Sequence, residues 1–299
     1  MTPAKINHLL LAIISASIAY LTISANLRAM DTALLQTDPQ DPEAQFQLAR
    51  SLLNGEGVQK NTSRALELMT LAANQGHAEA MGGLGYFYAS GLEVTKDQKI
   101  AIEWFQKGAE AGGPKSQLNY GKMLLEAENP SKIDEGLKWL QAAVDRKQPD
   151  AAHILGTIYL LGQYGQPINY QKAIDCLIIS AEAGNEDSQN AVGFIYSQPY
   201  LGQQNEKEAQ KWFRKAASVG NLKAQSNLGT LLWSKSTSDR HVRIEALSWL
   251  LSASLQGDET AVKFLRDNFI SIDPTDLEEA RKLAPHYQKG HIRHLSSEK

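Results

Sequence analysis

Few side chains in this sequence have the chemistry of a catalyst or of a metal ligand. The single cysteine, Cys176, could act as a thiol nucleophile, and His153 lies near Asp150 and could be a base or a ligand. No second ligand stands at helical spacing beside His153, so we expect a partly exposed surface histidine. Three histidines near the C-terminus could bind a metal ion, but we expect them in a solvated tail: His286, His291 and His294.

Composition and charge exclude several classes of function. The chain has 30 Lys and Arg against 33 Asp and Glu, a net charge of −3, whereas binding to nucleic acid needs an excess of basic charge. One cysteine excludes an intramolecular disulfide and a multi-cysteine zinc site. The sequence has no phosphate-binding loop, dinucleotide fingerprint or nucleophile elbow. We therefore predict a chain with no catalytic site, cofactor, metal ion or nucleic-acid partner.

An apolar segment near the N-terminus has the features of an export signal. Lys5 precedes an uncharged run of 15 residues, from Leu9 to Ile23, which fits the core of a signal peptide. Extended from Ile6 to Ala25, the run is long enough to stay as an uncleaved membrane anchor. Basic charge before the run and acidic charge after it predict that the rest of the chain lies outside the cytoplasm. We therefore predict that residues 1–30 are a cleaved signal, giving a periplasmic or secreted protein, or an inner-membrane anchor, and the remaining reading is a buried helix of a soluble protein.

From about residue 38 onward the chain repeats itself with a nearly constant period. The end of each unit is marked by Gly76, Gly112, Lys147, Gly184, Gly220 and Gly257. Successive markers are 35 to 37 residues apart, a period that indicates a helical solenoid. Recurring residues at offsets of 4, 8, 9 and 12 after each marker share one face of a helix, called helix A here. We predict six repeats over 38–257, a half repeat and capping helix over 258–290, and a tail over 291–299.

A second helix, called helix B here, precedes each marker. Small residues recur on both sides of a position that is mostly large, eight residues before the marker: Leu68, Trp104, Trp139, Cys176, Trp212 and Trp249. A small-large-small pattern lets two helices approach closely. We therefore predict that the four tryptophans are buried between helices, and that Cys176 is a buried and inert thiol. The glycine that recurs at offset 9 of helix A also indicates close helix contact.

The second unit shows the recurring pattern most fully. Its residues are Ala80, Leu84-Gly85, Tyr88, Gly91, Val94, Asp97, Ala101, Trp104, Ala109 and Gly112. This pattern resembles the Sel1-like repeat, a relative of the tetratricopeptide repeat, and the resemblance covers most of the chain. It implies an all-α fold, a right-handed α-solenoid of stacked antiparallel helix pairs closed by a capping half repeat.

The resemblance also implies a class of function. Sel1-like proteins are mostly adaptors that hold protein complexes together, and many bacterial members are exported. The expected function is therefore a scaffold at the cell envelope with a protein or peptide partner. Some secreted relatives with paired cysteines are linked to β-lactam binding or hydrolysis, so a secreted hydrolase of β-lactam or cell-wall type is the alternative. The single cysteine of this chain argues against that alternative.

One face of helix A remains once the packing positions are assigned, and it resembles the concave, peptide-lining face of tetratricopeptide arrays. Asn119 and Asn227 share offset 7 on it, where a carboxamide can both donate to and accept from a peptide backbone. The other reading is an ordinary solvated helical face. The candidate partner-binding residues, named the helix-A stripe here, are Gln47, Arg50, Tyr86, Asn119, Lys122, Asn190, Phe194 and Asn227.

Overall fold

A computed structural model describes residues 40–127, 129–202, 204–235 and 239–287. These residues form fourteen α-helices and two short 3₁₀-helices and no β-strand. The first seven helices are α1 Pro42–Asn54, α2 Thr62–Asn74, α3 Ala78–Ser90, α4 Gln98–Glu110, α5 Pro114–Leu125, α6 Pro130–Asp145 and α7 Pro149–Leu161. The other seven are α8 Tyr170–Glu182, α9 Glu186–Ser197, α10 Glu206–Ser218, α11 Leu222–Lys235, α12 Arg240–Leu255, α13 Glu259–Asp267 and α14 Pro274–Tyr287.

The helices alternate between the two predicted types. From α1 to α12 they form six consecutive pairs, each a helix A followed by a helix B, and helices that follow one another along the chain pack together from α1 to α5 and from α7 to α12. This confirms the predicted all-α array of helix pairs. The described residues divide into two compact units, one up to residue 142 (unit 1) and one from residue 143 onward (unit 2), with the division inside α6. The predicted signal or anchor over 1–30 and the tail over 291–299 lie outside the described residues.

The markers are the residues at which the chain leaves helix B and turns toward the next helix A. Gly76 has a φ of +92° and Gly220 a φ of +103°, in a region that glycine enters without steric cost. Lys147 makes the same turn with a φ of +58°. A residue with a side chain pays about 1–2 kcal/mol for the left-handed conformation, so the marker of the third repeat holds local strain that the glycine markers lack.

A capping side chain fixes the start of helix A in five of the six repeats, whereas α5 follows Gly113 and has no side-chain cap. Asp41 accepts hydrogen bonds from the backbone nitrogens of Glu43 and Ala44 at the start of α1. At the start of α9, Asn185 accepts from the backbone nitrogen of Ser188 at 2.7 Å. Each bond satisfies a donor that the first turn of a helix leaves without an internal partner.

The glycine at offset 9 lies at the contact between helix A and helix B. In unit 1 a Cβ atom built on Gly85 would stand 2.6 Å from Cδ1 of Phe105, and in unit 2 one on Gly193 would stand 2.6 Å from Cδ1 of Phe213. No side chain fits there unless the ring moves, because real Cβ contacts do not come so close. The glycines are therefore required by close helix contact, as the sequence predicted.

The prediction that all four tryptophans are buried is wrong for two of them. Trp212 and Trp249 are 5% and 1% exposed, whereas Trp104 and Trp139 are only partly buried. The large side chains that face helix A stand one position later, and each is at most 4% exposed: Met69, Phe105, Leu140, Leu177, Phe213 and Leu250. The tryptophans lie beside this contact, so their burial depends on what else covers them. Trp249 is covered by Tyr287, with ring centroids 4.4 Å apart.

Two further helices, α13 and α14, follow the sixth pair and pack against α12. Asp276, near the start of α14, is 2% exposed and accepts from Nε of Arg240 at 2.8 Å and of Arg243 at 3.0 Å. At the other end, the backbone oxygen of Tyr287 accepts from Nε2 of Gln225 at 3.2 Å. The closing helix is thus held at both of its ends.

Candidate partner-binding surface

Five residues of the helix-A stripe lie in unit 1: Gln47 and Arg50 on α1, Tyr86 on α3, and Asn119 and Lys122 on α5. Asn119 is partly buried and the other four are exposed, with 59% of the surface of Tyr86 open to solvent. Nη1 of Arg50 donates to Oε1 of Gln47 at 3.3 Å. In unit 1 the stripe is therefore a polar surface that carries one aromatic side chain.

The other three residues of the stripe lie in unit 2, and two of them bond to each other. Nδ2 of Asn227 donates to Oδ1 of Asn190 at 2.9 Å, a bond that joins α11 to α9. Offset 7 lies outside the predicted packing positions of helix A, yet Asn227 makes a contact within the fold because successive helices A bring the two amides together. This bond does not use Nδ2 of Asn190 or Oδ1 of Asn227, so it leaves one donor and one acceptor for a ligand. Partner binding by the eight residues stays a prediction.

Of the two candidate catalytic side chains, Cys176 is buried and His153 bonds to a neighbouring helix. Cys176 is 6% exposed, as predicted, and burial raises the pKa of its thiol to about 11. A thiol with that pKa is protonated at neutral pH and is a poor nucleophile. His153 is half-buried, with Nδ1 2.8 Å from Oγ of Ser188 on α9. It therefore links two helices A instead of lying free on the surface.

Successive helices A are also joined through their capping residues, which the sequence did not indicate. Nδ1 of His77 accepts from the backbone nitrogen of Ala80, so the ring proton is on Nε2, which donates to Oε2 of Glu43 at 2.8 Å. This hydrogen bond lowers the pKa of Glu43. In unit 2, Nδ2 of Asn221 donates to Oδ1 of Asp187 at 2.9 Å. The two residues of each pair are 34 positions apart in the chain. Helix-capping preferences therefore identify the capping residue but not the side chain to which it donates.

A group of aromatic side chains in unit 2 was not predicted. The rings of Tyr170 and Tyr200 are stacked, with centroids 3.9 Å apart and planes 4° from parallel. The ring of Phe194 lies 6.0 Å from that of Tyr200 at an angle of 54°. Phe194 and Tyr200 are 38% and 40% exposed. Tyr200 belongs to the 3₁₀-helix Pro199–Leu201, and such a connecting segment has no hydrophobic period from which its position could be predicted.

The described residues also bear on metal binding and on membrane insertion. Among them, no three His, Cys, Asp or Glu side chains stand close enough together to hold a metal ion. No helix in the same residues has the length and apolar character needed to cross a membrane. His291, His294 and the apolar N-terminal segment lie outside this part of the chain, so the predictions about them are untested.

A sequence model of the Sel1 repeat matches six consecutive segments of the chain. The matched residues are 42–77, 78–113, 114–147, 149–185, 186–221 and 222–258, and each segment holds one helix A and one helix B. The chain belongs to the Sel1 repeat family. Sel1 repeat proteins generally mediate protein–protein interaction, and their scaffold is typically non-catalytic. The resemblance seen in the second unit is thereby confirmed.

Several proteins resemble this Sel1 repeat chain. It is 25% identical over 246 residues to an uncharacterized protein of Neisseria meningitidis, covering 82% of this chain and 49% of that protein. It is 24% identical over 273 residues to the chitin synthase regulator SKT5 of Saccharomyces cerevisiae, covering 75% of this chain and 39% of the regulator. The chain thus spans half or less of the length of these relatives. The crystal structure of a Sel1 repeat protein from Oxalobacter formigenes aligns with a TM-score of 0.63 at 25% identity, covering 80% of this chain and 98% of that one.

Proposed function

We propose that this Sel1 repeat chain is a non-catalytic scaffold that binds a segment of a partner protein along the helix-A stripe. The observation that carries the proposal is the exposure of two aromatic side chains on that stripe, Tyr86 at 59% and Phe194 at 38%. Aromatic residues are enriched among those that dominate binding at protein interfaces. The paired amides of Asn190 and Asn227 support it, because a remaining donor and acceptor match those of an extended peptide backbone.

The proposal is tested by comparing which proteins are captured by wild type and by a stripe variant. The variant replaces Tyr86, Asn119, Phe194 and Asn227 with alanine. Its matched control replaces Leu71 and Ile102, exposed aliphatic side chains on helices B, with alanine. We expect the stripe variant to lose partners that both wild type and the control retain. An unchanged set of captured proteins, together with an unchanged circular dichroism melt, would reject the stripe as the binding surface.

We also propose that the scaffold works outside the cytoplasm, either exported or held in the inner membrane by residues 6–25. Lys5, the apolar run from Leu9 to Ile23 and the acidic residues that follow it support this address. An alkaline phosphatase fused after Asp41 should then be active in a bacterial host. Recovery of an inactive fusion from the cytosol would contradict the proposal. Sequencing the N-terminus of the mature protein distinguishes a cleaved signal from an anchor.

A further inference from the structure

The loops between helix A and helix B in the second and fourth repeats share two backbone features but carry opposite chemistry, and the fourth-repeat loop is one residue longer. Both contain a residue with a side chain at positive φ, Glu93 at +58° and Tyr164 at +52°. Both end with a side chain that lies against the glycine closing helix A. A Cβ on Gly91 would stand 3.1 Å from Cβ of Lys96, and one on Gly162 would stand 3.0 Å from Cγ1 of Ile168.

The charged pair of the second repeat is thus replaced by an exposed apolar pair in the fourth. Tyr164 is 44% exposed and Ile168 is 55% exposed. Glu93, by contrast, accepts hydrogen bonds from the hydroxyl groups of Thr62 and Ser63, so its position serves the fold in unit 1. The corresponding positions of the second repeat hold charged residues, so the fold does not require apolar side chains there. Exposed apolar side chains that cluster together mark an interaction surface.

These two side chains lie in the loop that leads to Tyr170 of the aromatic group of unit 2. Ile168 lies two residues before Tyr170, which stacks on Tyr200, which in turn contacts Phe194. We name these five residues, Tyr164, Ile168, Tyr170, Phe194 and Tyr200, the aromatic edge. Its members lie in unit 2, in the loop before α8, at the first residue of α8, at the end of α9 and in the 3₁₀-helix after it, and all but the half-buried Tyr170 are exposed.

On α9, two acidic side chains and then an amide come before Phe194 of the aromatic edge. Glu186, Asn190 and Phe194 are spaced by four residues and share one side of the helix, with Asp187 beside the first. Both acids are exposed. From Glu186 to Phe194 the helix rises about 12 Å, at about 1.5 Å per residue. An extended chain covers that distance in about three to four residues, at about 3.3–3.6 Å each.

We propose that this side of α9 and the aromatic edge bind an extended segment of a partner protein. The segment carries a basic residue facing Glu186 and Asp187 and, about three to four residues along, an aliphatic or prolyl residue on the aromatic edge. The Asn190 and Asn227 amides hold the backbone between them, through the donor and acceptor that their mutual bond does not use. A lipid acyl chain has no backbone amide that could bond to the two asparagines and no basic charge that could pair with the two acids. The mixed chemistry of this surface therefore favours a peptide. The inference rests on the proposed scaffold function and names its ligand class.

The test uses a display library of random nine-residue linear peptides, screened on the immobilised full-length chain. Enriched peptides should combine Lys or Arg with an aliphatic or prolyl residue three to four positions away. A synthetic peptide of the enriched sequence should bind at least about tenfold more weakly to a Phe194→Ala variant, as expected for an aromatic hot spot. A Glu186→Lys variant, screened anew, should no longer enrich basic residues.

Two controls separate binding from folding and from the wider proposal. The double variant Tyr164→Glu and Ile168→Lys carries the residues of the second repeat, so it should keep the wild-type melt while binding the peptide several-fold more weakly. Tyr86→Ala removes an exposed aromatic residue of the stripe in unit 1 and should leave the affinity for the peptide unchanged.

Four outcomes would overturn the inference. Enriched peptides that bind the Phe194 and loop variants as well as wild type would refute this site while leaving a scaffold function intact. An equal loss with Tyr86→Ala would refute its location in unit 2. Failure to enrich any peptide, while captured proteins still depend on the stripe, would refute an extended segment as the ligand. Binding to phosphatidylcholine vesicles that is lost in the loop variant would show that the aromatic edge contacts lipid.

Discussion

The second and fifth repeats have the same interior. In the second, Gly85 of α3 packs against Phe105 of α4, and in the fifth, Gly193 of α9 packs against Phe213 of α10. The two phenylalanines are 4% and 2% exposed. This contact between helix A and helix B is therefore kept from one repeat to another, in unit 1 and in unit 2 alike.

Their surfaces differ. The residue after the glycine is Tyr86 in the second repeat, 59% exposed, and Phe194 in the fifth, 38% exposed and in contact with Tyr200. The comparison teaches that the residues between helices define the fold, whereas the neighbouring positions can vary and so can specialise in binding. If that is right, interior substitutions should change stability in every repeat, and exchanges at the surface should not.

The largest effect on stability is expected from removing an interior ring. Phe213→Ala should lower the local free energy of unfolding by about 3–5 kcal/mol, since it leaves a cavity between two helices. An array of repeats need not unfold in one step, so hydrogen exchange in α9 and α10 is the suitable measurement. Phe105→Ala should behave alike in unit 1, and the partly exposed Trp104→Ala should cost less. An equal or larger cost for Trp104→Ala would mean that the interior has been assigned to the wrong position.

A smaller loss is expected from adding one methyl group at the same contact. Gly193→Ala should cost about 1–3 kcal/mol, because its Cβ would overlap the ring of Phe213. Combining it with Phe213→Ala should give a loss well below the sum of the two, since the cavity accommodates the methyl group. Additive losses would show that the glycine is needed for some reason other than contact with the ring.

A modest gain is expected at the one marker that is not a glycine. Lys147→Gly should stabilise the third repeat by about 0.5–1 kcal/mol, because it relieves the left-handed conformation but frees the unfolded backbone. The reverse change in the fifth repeat, Gly220→Lys, should cost about 1–2 kcal/mol. The shift in the melting midpoint of each variant measures both. A loss with Lys147→Gly would mean that the lysine side chain makes a contact that outweighs the strain.

The smallest effect is expected from exchanging the loop residues. Tyr164→Glu with Ile168→Lys should change stability by no more than about 0.5 kcal/mol, since both side chains are exposed and the second repeat has charged residues at these places. Denaturant titration of wild type and the double variant would measure it. A loss above about 1 kcal/mol would show that the aromatic edge supports the fold, and would remove the reason to regard it as a binding surface.

The fold could be predicted because it is periodic. One marker every 35 to 37 residues, a glycine in every repeat but the third, defined the helix pairs and their number together with the small residues at fixed offsets. The predicted interior position was one residue too early, at Trp212 instead of Phe213. Neighbouring residues of a helix point only about 100° apart, and here both are large. A helical period alone does not decide which of two adjacent bulky residues faces the partner helix.

The surface could be predicted only in part. The stripe follows from offsets along helix A, so Phe194 and Asn190 could be named in advance. The bond between Asn190 and Asn227 depends on how two helices 37 positions apart stack, and the stacking of Tyr170 on Tyr200 depends on the course of two loops. Neither leaves a local pattern in the sequence, because loops have no period and long-range pairs have no fixed spacing.

The central claim is that the side of α9 carrying Phe194 meets the partner, and site-specific photo-crosslinking tests it most directly. A photoreactive phenylalanine analogue is placed at position 194. The matched control carries it at Leu255, which is 67% exposed and lies on a helix B of unit 2. Irradiation of cells that produce each protein should give a discrete protein adduct from position 194 and none from position 255. No adduct from position 194, or the same adducts from both positions, would contradict the account.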